Sequence, residues 1–523
     1  MKLADVSRKA YRNKFLMEYC RKSSMHGVLY WSERQRPYFE RFLWMILFLI
    51  SLFISGKMIR NSWIKWSEHA LAFTLESQPK HISMIPFPAF TICSMSRFQG
   101  VKLKYSQKAV EFESNVKNSF KLDTFDSLSQ ICKNGLSSEA FPAIKNSSNI
   151  YGTFRHYQQD PNEMFNECSF VRNQRRCKRF YQEVFTNHGR CYTFNGLNRR
   201  QMIRRRSLLA SETNISVPLS NWTASRGFLS QKETYPHRVY QVMPDYGFTL
   251  RLKLNASDSD LLCYPMGVGI LIQFHDPSED PFMYERFHVL TLEQYGNIVI
   301  SPEMTTTAQE LHRYGPRERQ CFFPHEKYLQ HYIIYNERNC RIECLTNMTM
   351  VKCGCVFFDM PHNKSVKLCG KGSIPCYQRV RREMDQTVMK NAGVEDNNSC
   401  DCLPSCTSIN YKTDILHHRM YLWEKNRSQI EEVLIKIYFL HTTFVPYQRS
   451  ELYGLTEFMA SCGGILGLFM GFSVLSLAEL LYFFPIRYFR NKYKNHQLKK
   501  AEEIENIFIP TRGQLYKYVK PRF

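Results

Sequence analysis

Sixteen of the chain's eighteen cysteines fall between Cys93 and Cys406, an even number in one block. No other feature restricts the possible folds of a 523-residue chain as much. Thiols are held reduced in the cytosol, so a block of this density belongs in an oxidising compartment and is expected to form disulfides. Eight N-x-S/T sequons, at Asn146, Asn214, Asn221, Asn255, Asn347, Asn363, Asn397 and Asn426, share this part of the chain, seven within the block and Asn426 shortly after it, and none lies nearer either terminus. Sequons are used only where a chain is exposed to the lumen or the exterior. The region is therefore expected to be extracellular, with all eight asparagines as glycosylation acceptors. Zinc is the rival use of closely spaced cysteines. No histidine is regularly interleaved with them, so no metal site is expected.

Two apolar stretches bracket the block. From Phe42 to Gly56 fifteen residues carry no charge. That is slightly short of the roughly 20 needed to span a bilayer, and Lys57 can snorkel outward to lengthen it. Arg34, Arg36 and Arg41 hold one end, and Trp63 and Trp66 suit the opposite interface. The second stretch, Leu455 to Phe484, carries one charge between Glu457 and Arg487, namely Glu479. As a helix it would reach roughly 44 Å, more than a hydrocarbon core of about 30 Å. Gly463, Gly467 and Gly471 recur every fourth residue along one stripe, the pattern that lets helices approach closely. Ionisable groups at membrane depth are costly, so Glu479 is expected to face a bundle interior or water. These features suit either a one-pass anchor with a packing face or a pore helix.

The charge distribution fits two spans. Residues 1–41 hold ten Lys/Arg against four acids, and residues 485–523 hold ten against three, which is +13 of the net +23. Basic flanks beside apolar segments place both termini in the cytosol. The same distribution argues against nucleic acid as a partner. No signal-peptide core is seen at the N-terminus, where Lys2, Arg8, Lys9, Arg12 and Lys14 interrupt it. The expected division is a cytosolic segment 1–41, a first span 42–60, an extracellular region 61–455, a second span 456–484 and a basic cytosolic tail 485–523. Cys20 reads as an inert or palmitoylated thiol.

Within the extracellular region, Tyr246 to Leu254 alternates, with Phe248, Leu250, Leu252 and Leu254 on one face. Val268 to Phe274 reads as a buried strand ended by His275-Asp276-Pro277. Residues 97–190 are mixed, with helix-like pieces. Arg199–Arg206 (RRQMIRRR) reads as a solvated loop, with cleavage by a trypsin-like protease as its other reading.

The last cysteines carry geometry. Cys340 and Cys344 share a helix face about 6 Å apart along the axis. Cys400 and Cys402 share a strand face about 6.6 Å apart. A helix can therefore be stapled twice to an extended segment, Cys340 to Cys402 and Cys344 to Cys400. Cys353 and Cys355 can pair outward with Cys376 and Cys369, and Cys321 with Cys406 would close a nested ladder. There is no H-E-x-x-H, P-loop or strand-to-helix G-x-S-x-G. No catalytic residue, cofactor or enzymatic activity is expected.

In this order the motifs resemble the degenerin/epithelial sodium channel family, most closely its insect pickpocket branch. His26-Gly27 resembles the family's cytosolic His-Gly motif. Phe87-Pro88-Ala89-Phe90-Thr91-Ile92-Cys93 and Cys191-Tyr192-Thr193-Phe194-Asn195 resemble its core strands. His275-Asp276-Pro277 with Glu279 and Pro281, Arg319-Gln320-Cys321, Tyr335, Glu343-Cys344, Cys353-Gly354-Cys355 and Cys400-Asp401-Cys402-Leu403-Pro404-Ser405-Cys406 follow in the family's order. Gly463-Gly464, Gly467-Leu468-Phe469 and Gly471-Phe472-Ser473 resemble its pore helix.

The resemblance implies an α+β membrane protein. Two transmembrane helices would flank a large disulfide-rich ectodomain with a β-sheet palm and helical finger and thumb parts. The finger would occupy about 97–190 and the laddered thumb about 321–406. The resemblance supports the ladder and adds Cys93–Cys191 and Cys168–Cys177. Cys132 and Cys263 are then left over and are expected to pair.

It further implies a homo- or heterotrimer of family subunits in the plasma membrane, passing sodium, voltage-insensitive and blocked by amiloride. The selectivity filter would be Gly471, Phe472 and Ser473, with Glu479 attracting cations below it and Gly463, Gly464 and Gly467 packing the pore helix. Ala460 matches the position where bulky replacements hold related channels open, and His26 and Gly27 would affect gating. The extracellular ligand is left unassigned. Ser461 stands where many members carry an acid, Phe472 is larger than the usual filter residue, Cys462 is unusual in this helix, and the tail lacks P-P-x-Y. The alternatives are a non-conducting receptor or auxiliary subunit needing other family subunits, and an ATP-gated trimer, against which these motifs argue.

Overall fold

The computed structural model describes residues 17–487 apart from 34, 68–70, 115–121, 133–135, 145–148, 208–216, 231–232, 391–399 and 421–430, together with scattered positions up to 501. The chain forms two compact units, Met1–Leu71 with Glu451–Phe523, and Ala72–Ser450.

In the first unit a 30-residue helix, Tyr38–Ser67, is long and apolar enough to cross a membrane. It outruns the expected 42–60 at both ends. Its extensions carry Glu40 and Arg41 at one end and Lys65 at the other. These are good helix formers that let the backbone stay hydrogen-bonded beyond the apolar core. The second apolar segment is not one helix. Leu455–Met470 and Val474–Arg487 are bent by 75° at a short break, and the latter part is α-helical over Val474–Leu481 and π-helical over Tyr482–Arg487, which contains Pro485. The uninterrupted helix expected from the apolar run is thus replaced by a broken one. Leu455–Met470 packs on the long helix: Trp66 stacks on Phe458 with ring centroids 5.2 Å apart, and the Ser62 and Ser461 hydroxyls lie 3.2 Å apart.

The second unit is built on two sheets. One contains strands β3 (Ala89–Ser94), β6 (Tyr181–Thr186), β7 (Gly189–Phe194), β9 (Gly269–His275) and β10 (His288–Thr291), in the order β10-β9-β3-β7-β6 and antiparallel throughout. The eight-stranded sheet includes β4 (Phe165–Phe170), β5 (Asn173–Arg175), β8 (Phe248–Lys253), β11 (Gln294–Thr307), β12 (Ser408–Arg419), β13 (Glu432–Phe439) and β15 (Tyr447–Glu451), with β11 antiparallel to β12 and parallel to β13 and β15. The short β1 (Leu71–Leu75) completes it, while β2 (Lys80–His81) and β14 (Thr443–Phe444) pair separately.

The core fills the space between these sheets. β8 alternates buried and half-buried along Phe248, Leu250 and Leu252, as its period-2 sequence requires, and β9 is buried almost throughout. Phe90 of β3 stacks on Phe194 of β7 at 4.8 Å and meets Phe248 of the other sheet edge-on at 5.2 Å.

Residues 308–407 are an insertion between β11 and β12, which pair from Gln294↔Arg419 to Thr305↔Ser408. At its base Cys321 bonds Cys406, and the Thr307 hydroxyl donates to the Cys406 carbonyl at 2.7 Å. The helix Glu337–Cys353 starts on Asn336, whose side chain accepts from the Asn339 amide, and ends at Gly354 in the left-handed conformation. It bonds Cys402 through Cys340 and Cys400 through Cys344. Cys353 bonds Cys376 on the helix Ile374–Lys390, and Cys355 bonds Cys369. The segment opposite Cys340 and Cys344 is not a strand, as the spacing had suggested: the Cys402 amide donates to the Cys400 carbonyl at 2.7 Å, a three-residue turn. Elsewhere Cys93 bonds Cys191, directly opposite it on β3 and β7, Cys168 bonds Cys177, and Cys132 bonds Cys263.

Arg199–Arg206 is not a solvated loop in its first half. Arg199 and Met202 are buried in a short helix, and Arg199 pairs with Asp280 at 2.5 Å, whose other oxygen accepts from the Tyr332 hydroxyl at 2.9 Å. Desolvating a guanidinium is tolerated where a carboxylate meets it. Arg200, Arg205 and Arg206 are exposed.

Candidate pore site at the broken apolar segment

The break is written in three residues. Gly471 takes φ of +63°, a left-handed conformation that ends Leu455–Met470. Ser473 then opens the next helix as a capping box: its hydroxyl accepts from the Ser476 amide at 3.3 Å, and the Ser476 hydroxyl accepts from the Ser473 amide at 3.2 Å. Gly471, Phe472 and Ser473 therefore stand outside regular helix. Non-helical backbone within a bilayer is tolerated only where protein or water covers it.

The N-terminal segment supplies cover. The His26 amide donates to the Met470 carbonyl at 2.9 Å. The His26 imidazole lies so close to Gly471 that a Cβ there would sit 2.8 Å from three of its ring atoms. Gly27, at φ +82°, turns the chain into the helix Val28–Ser32. Ser24 places its hydroxyl 2.8 Å from the Ser476 hydroxyl and donates to Glu479 Oε2 at 3.2 Å. Glu18 accepts from Arg487 at 2.5 Å, and Tyr19 packs edge-on against Phe483 and Phe484. Residues 17–27 thus run along the segment from Met470 to Arg487.

Of the residues singled out in sequence, His26, Gly471, Phe472 and Ser473 come together, with Glu479 beside them through Ser24. Ala460 is an exposed residue about three turns before this cluster. Gly463, Gly464 and Gly467 do not pack within the chain: a Cβ at any of them meets nothing within 4 Å. Asn221, Asn255, Asn347 and Asn363 are exposed, whereas Asn146, Asn214, Asn397 and Asn426 lie outside the described residues. Cys20 and Cys462 are free thiols. Among the described residues no cluster of His, Cys, Asp or Glu is placed to hold a metal ion. Sequence reasoning missed Ser24, Tyr19, Glu18 and Arg487. Only the Ser473-x-x-Ser476 spacing, a helix-start signature, was there to announce the break.

A family model described as "Amiloride-sensitive sodium channel" matches residues 19–483. The chain belongs to this family of membrane ion channels. Pickpocket protein 28 of Drosophila melanogaster is 24% identical over 95% of this chain and 83% of its own length. Sodium channel protein Nach of the same species is 21% identical over 92% of this chain and 89% of its own. Acid-sensing ion channel 4-B of Danio rerio is 22% identical over 93% of this chain and 78% of its own. Members of the family are sodium or acid-sensing cation channels assembled from family subunits, not enzymes.

The large unit of this family member holds a second group of ionisable residues. His275 donates from Nδ1 to the Asp276 carbonyl at 3.0 Å, which leaves Nε2 to accept from the Thr91 hydroxyl at 2.9 Å. Burial, with the Arg338 charge second, lowers this imidazole to about 3, so it stays neutral. Burial also lowers His288, His331 and His362. Asp276 behaves oppositely: burial and then the neighbouring Glu279 raise it to about 7. Its Oδ1 accepts from the Ser278 amide at 2.8 Å, while Oδ2 is buried without a hydrogen-bond partner. Glu279 and Glu285 share Arg338 at 3.1 and 2.9 Å.

Proposed function

We propose that this chain is a pore-forming subunit of a trimeric, sodium-selective, voltage-insensitive and amiloride-sensitive cation channel of the plasma membrane, with two spans and both termini cytosolic. The reading rests on the break at Gly471–Ser473, which lies in the second apolar segment and is propped by His26. A helix that ends inside the membrane turns its negative dipole end and its last carbonyls toward the break. Repeated around a three-fold axis, such ends and the Ser473 hydroxyls form a ring that replaces part of the hydration shell of a small cation. Glu479 then forms a ring of carboxylates on the cytosolic side of the filter, raising the local cation concentration. Gly463, Gly464 and Gly467, open within the chain, provide the stripe on which a neighbouring copy of this helix packs.

In this reading the two-sheet unit is the palm with its associated ball, residues in 97–190 form the finger and the insertion between β11 and β12 is the thumb. Five disulfides within residues 321–406 hold the thumb rigid, so that a stimulus received outside passes to β11 and β12. A coupling of about 1–3 kcal/mol between stimulus site and gate is sufficient.

The deciding experiment records whole-cell current from cells expressing Ala460→Val, before and after external sodium is replaced by a large organic cation. A standing inward current that disappears on replacement and is blocked by amiloride is expected. No current, with the protein shown at the surface and with family subunits co-expressed, leaves the receptor reading instead.

A further inference from the structure

We propose that Ser24 is a phosphorylation site whose modification unlatches the N-terminal segment from the filter region. The inference rests on the reading above in one respect, that residues 17–32 face the cytosol, where ATP is available.

Ser24 lies in the two-residue link between the helical residues 17–22 and the turn at Met25–Gly27, and it is exposed. Its hydroxyl can therefore be reached without unfolding a helix. Arg21 and Lys22 stand three and two residues before it, both exposed. They offer the positive charge that a kinase with an acidic substrate groove requires.

The partners of the hydroxyl set the consequence. One is the Ser476 hydroxyl at 2.8 Å and the other is Glu479 Oε2 at 3.2 Å. Hydrogen-bond contact at these distances leaves no room for a phosphorus atom with three further oxygens. A phosphoserine also carries about −1.5 to −2 charge at pH 7, which Glu479 repels. Among the described residues no arginine pairs with Ser24 to receive it. In the reaction the Ser24 Oγ–P bond forms as the bond between the γ-phosphorus and ADP breaks, and the hydroxyl proton passes to the kinase's base. The modified side chain must then leave Ser476 and Glu479. Ser476 is half of the capping box that starts at Ser473, and His26, two residues from Ser24, props Gly471. Loss of the latch withdraws support from the non-helical backbone, so phosphorylation is expected to reduce current.

The test has two arms. Full-length protein in inside-out vesicles is treated with MgATP and the catalytic subunit of a basic-residue-directed kinase, and its peptides are analysed by mass spectrometry. Phosphate on Ser24, absent from Ser24→Ala, is expected, and none on Ser24 overturns the site. In the second arm, currents of Ser24→Asp and Ser24→Thr are compared in the Ala460→Val background at equal surface density. Thr keeps the hydroxyl and is expected to keep the current, while Asp is expected to fall at least tenfold. Equal currents overturn the switch. If the Ala460→Val parent is silent even with family subunits co-expressed, the channel reading fails, and the phosphate assay still decides the site.

Discussion

Gly471 shows how much a single position can be made to do. Its φ of +63° costs an L-residue about 1–2 kcal/mol, and its missing Cβ makes room for the His26 ring. Gly471→Ala should therefore abolish most of the standing current. The two costs can be separated, because His26→Ala removes the clash and leaves the strain. The double variant is expected to regain part of the current lost by Gly471→Ala. If it regains none, the imidazole is not the obstacle. Glu479 is a simpler case, being exposed with Ser24 as its hydrogen-bond donor. Glu479→Gln keeps the acceptor and removes the charge, so single-channel sodium conductance should drop severalfold with gating little changed. An unaltered conductance would place Glu479 away from the ion path.

At the scale of elements, the short helix beginning at Arg199 is held by a buried ion pair rather than by propensity. Removing one member of such a pair leaves the other desolvated, a loss of about 3–5 kcal/mol. Arg199→Met is expected to lower the thermal midpoint of the purified channel. Adding Asp280→Leu should return part of the loss, since no charge is then stranded, although the Tyr332 hydroxyl loses its acceptor. If the double variant is no more stable than the single one, the ion pair is not what holds the helix. The basic run hid this arrangement, because its one buried arginine looks in sequence like the four other arginines beside it, and its partner lies 81 positions away. Strands were more legible. Phe248–Lys253 alternates because one face meets the other sheet, and Gly269–His275 is apolar because it is central. The second apolar segment was legible in composition but not in shape. A run without charges announces membrane depth, whereas its 75° bend depends on a left-handed glycine followed by a serine cap.

At the scale of the whole molecule, the pH response follows from burial. A carboxyl raised from its ordinary range near 4 to about 7 binds its proton more readily folded than unfolded. Asp276 therefore favours the folded state at low pH, and that contribution is lost as pH rises from about 4 to about 7. Asp276→Asn keeps the acceptor for Ser278 and cannot ionise. It should raise the thermal midpoint of the full-length protein at pH 8 by several degrees and leave it nearly unchanged at pH 5; equal midpoints of variant and parent at pH 8 would refute this. Cysteine number, sequons, apolar runs and basic flanks pointed from the sequence alone to an oxidising compartment and a membrane, as the ordered short motifs pointed to the family. These are properties of local composition and survive any rearrangement of the chain. The kink at Gly471, the seating of His26 and Ser24 against it, and the burial that separates Asp276 from His275 were decided by tertiary structure. Each depends on groups as many as 455 positions apart being brought within a few ångströms, and no local pattern encodes that distance.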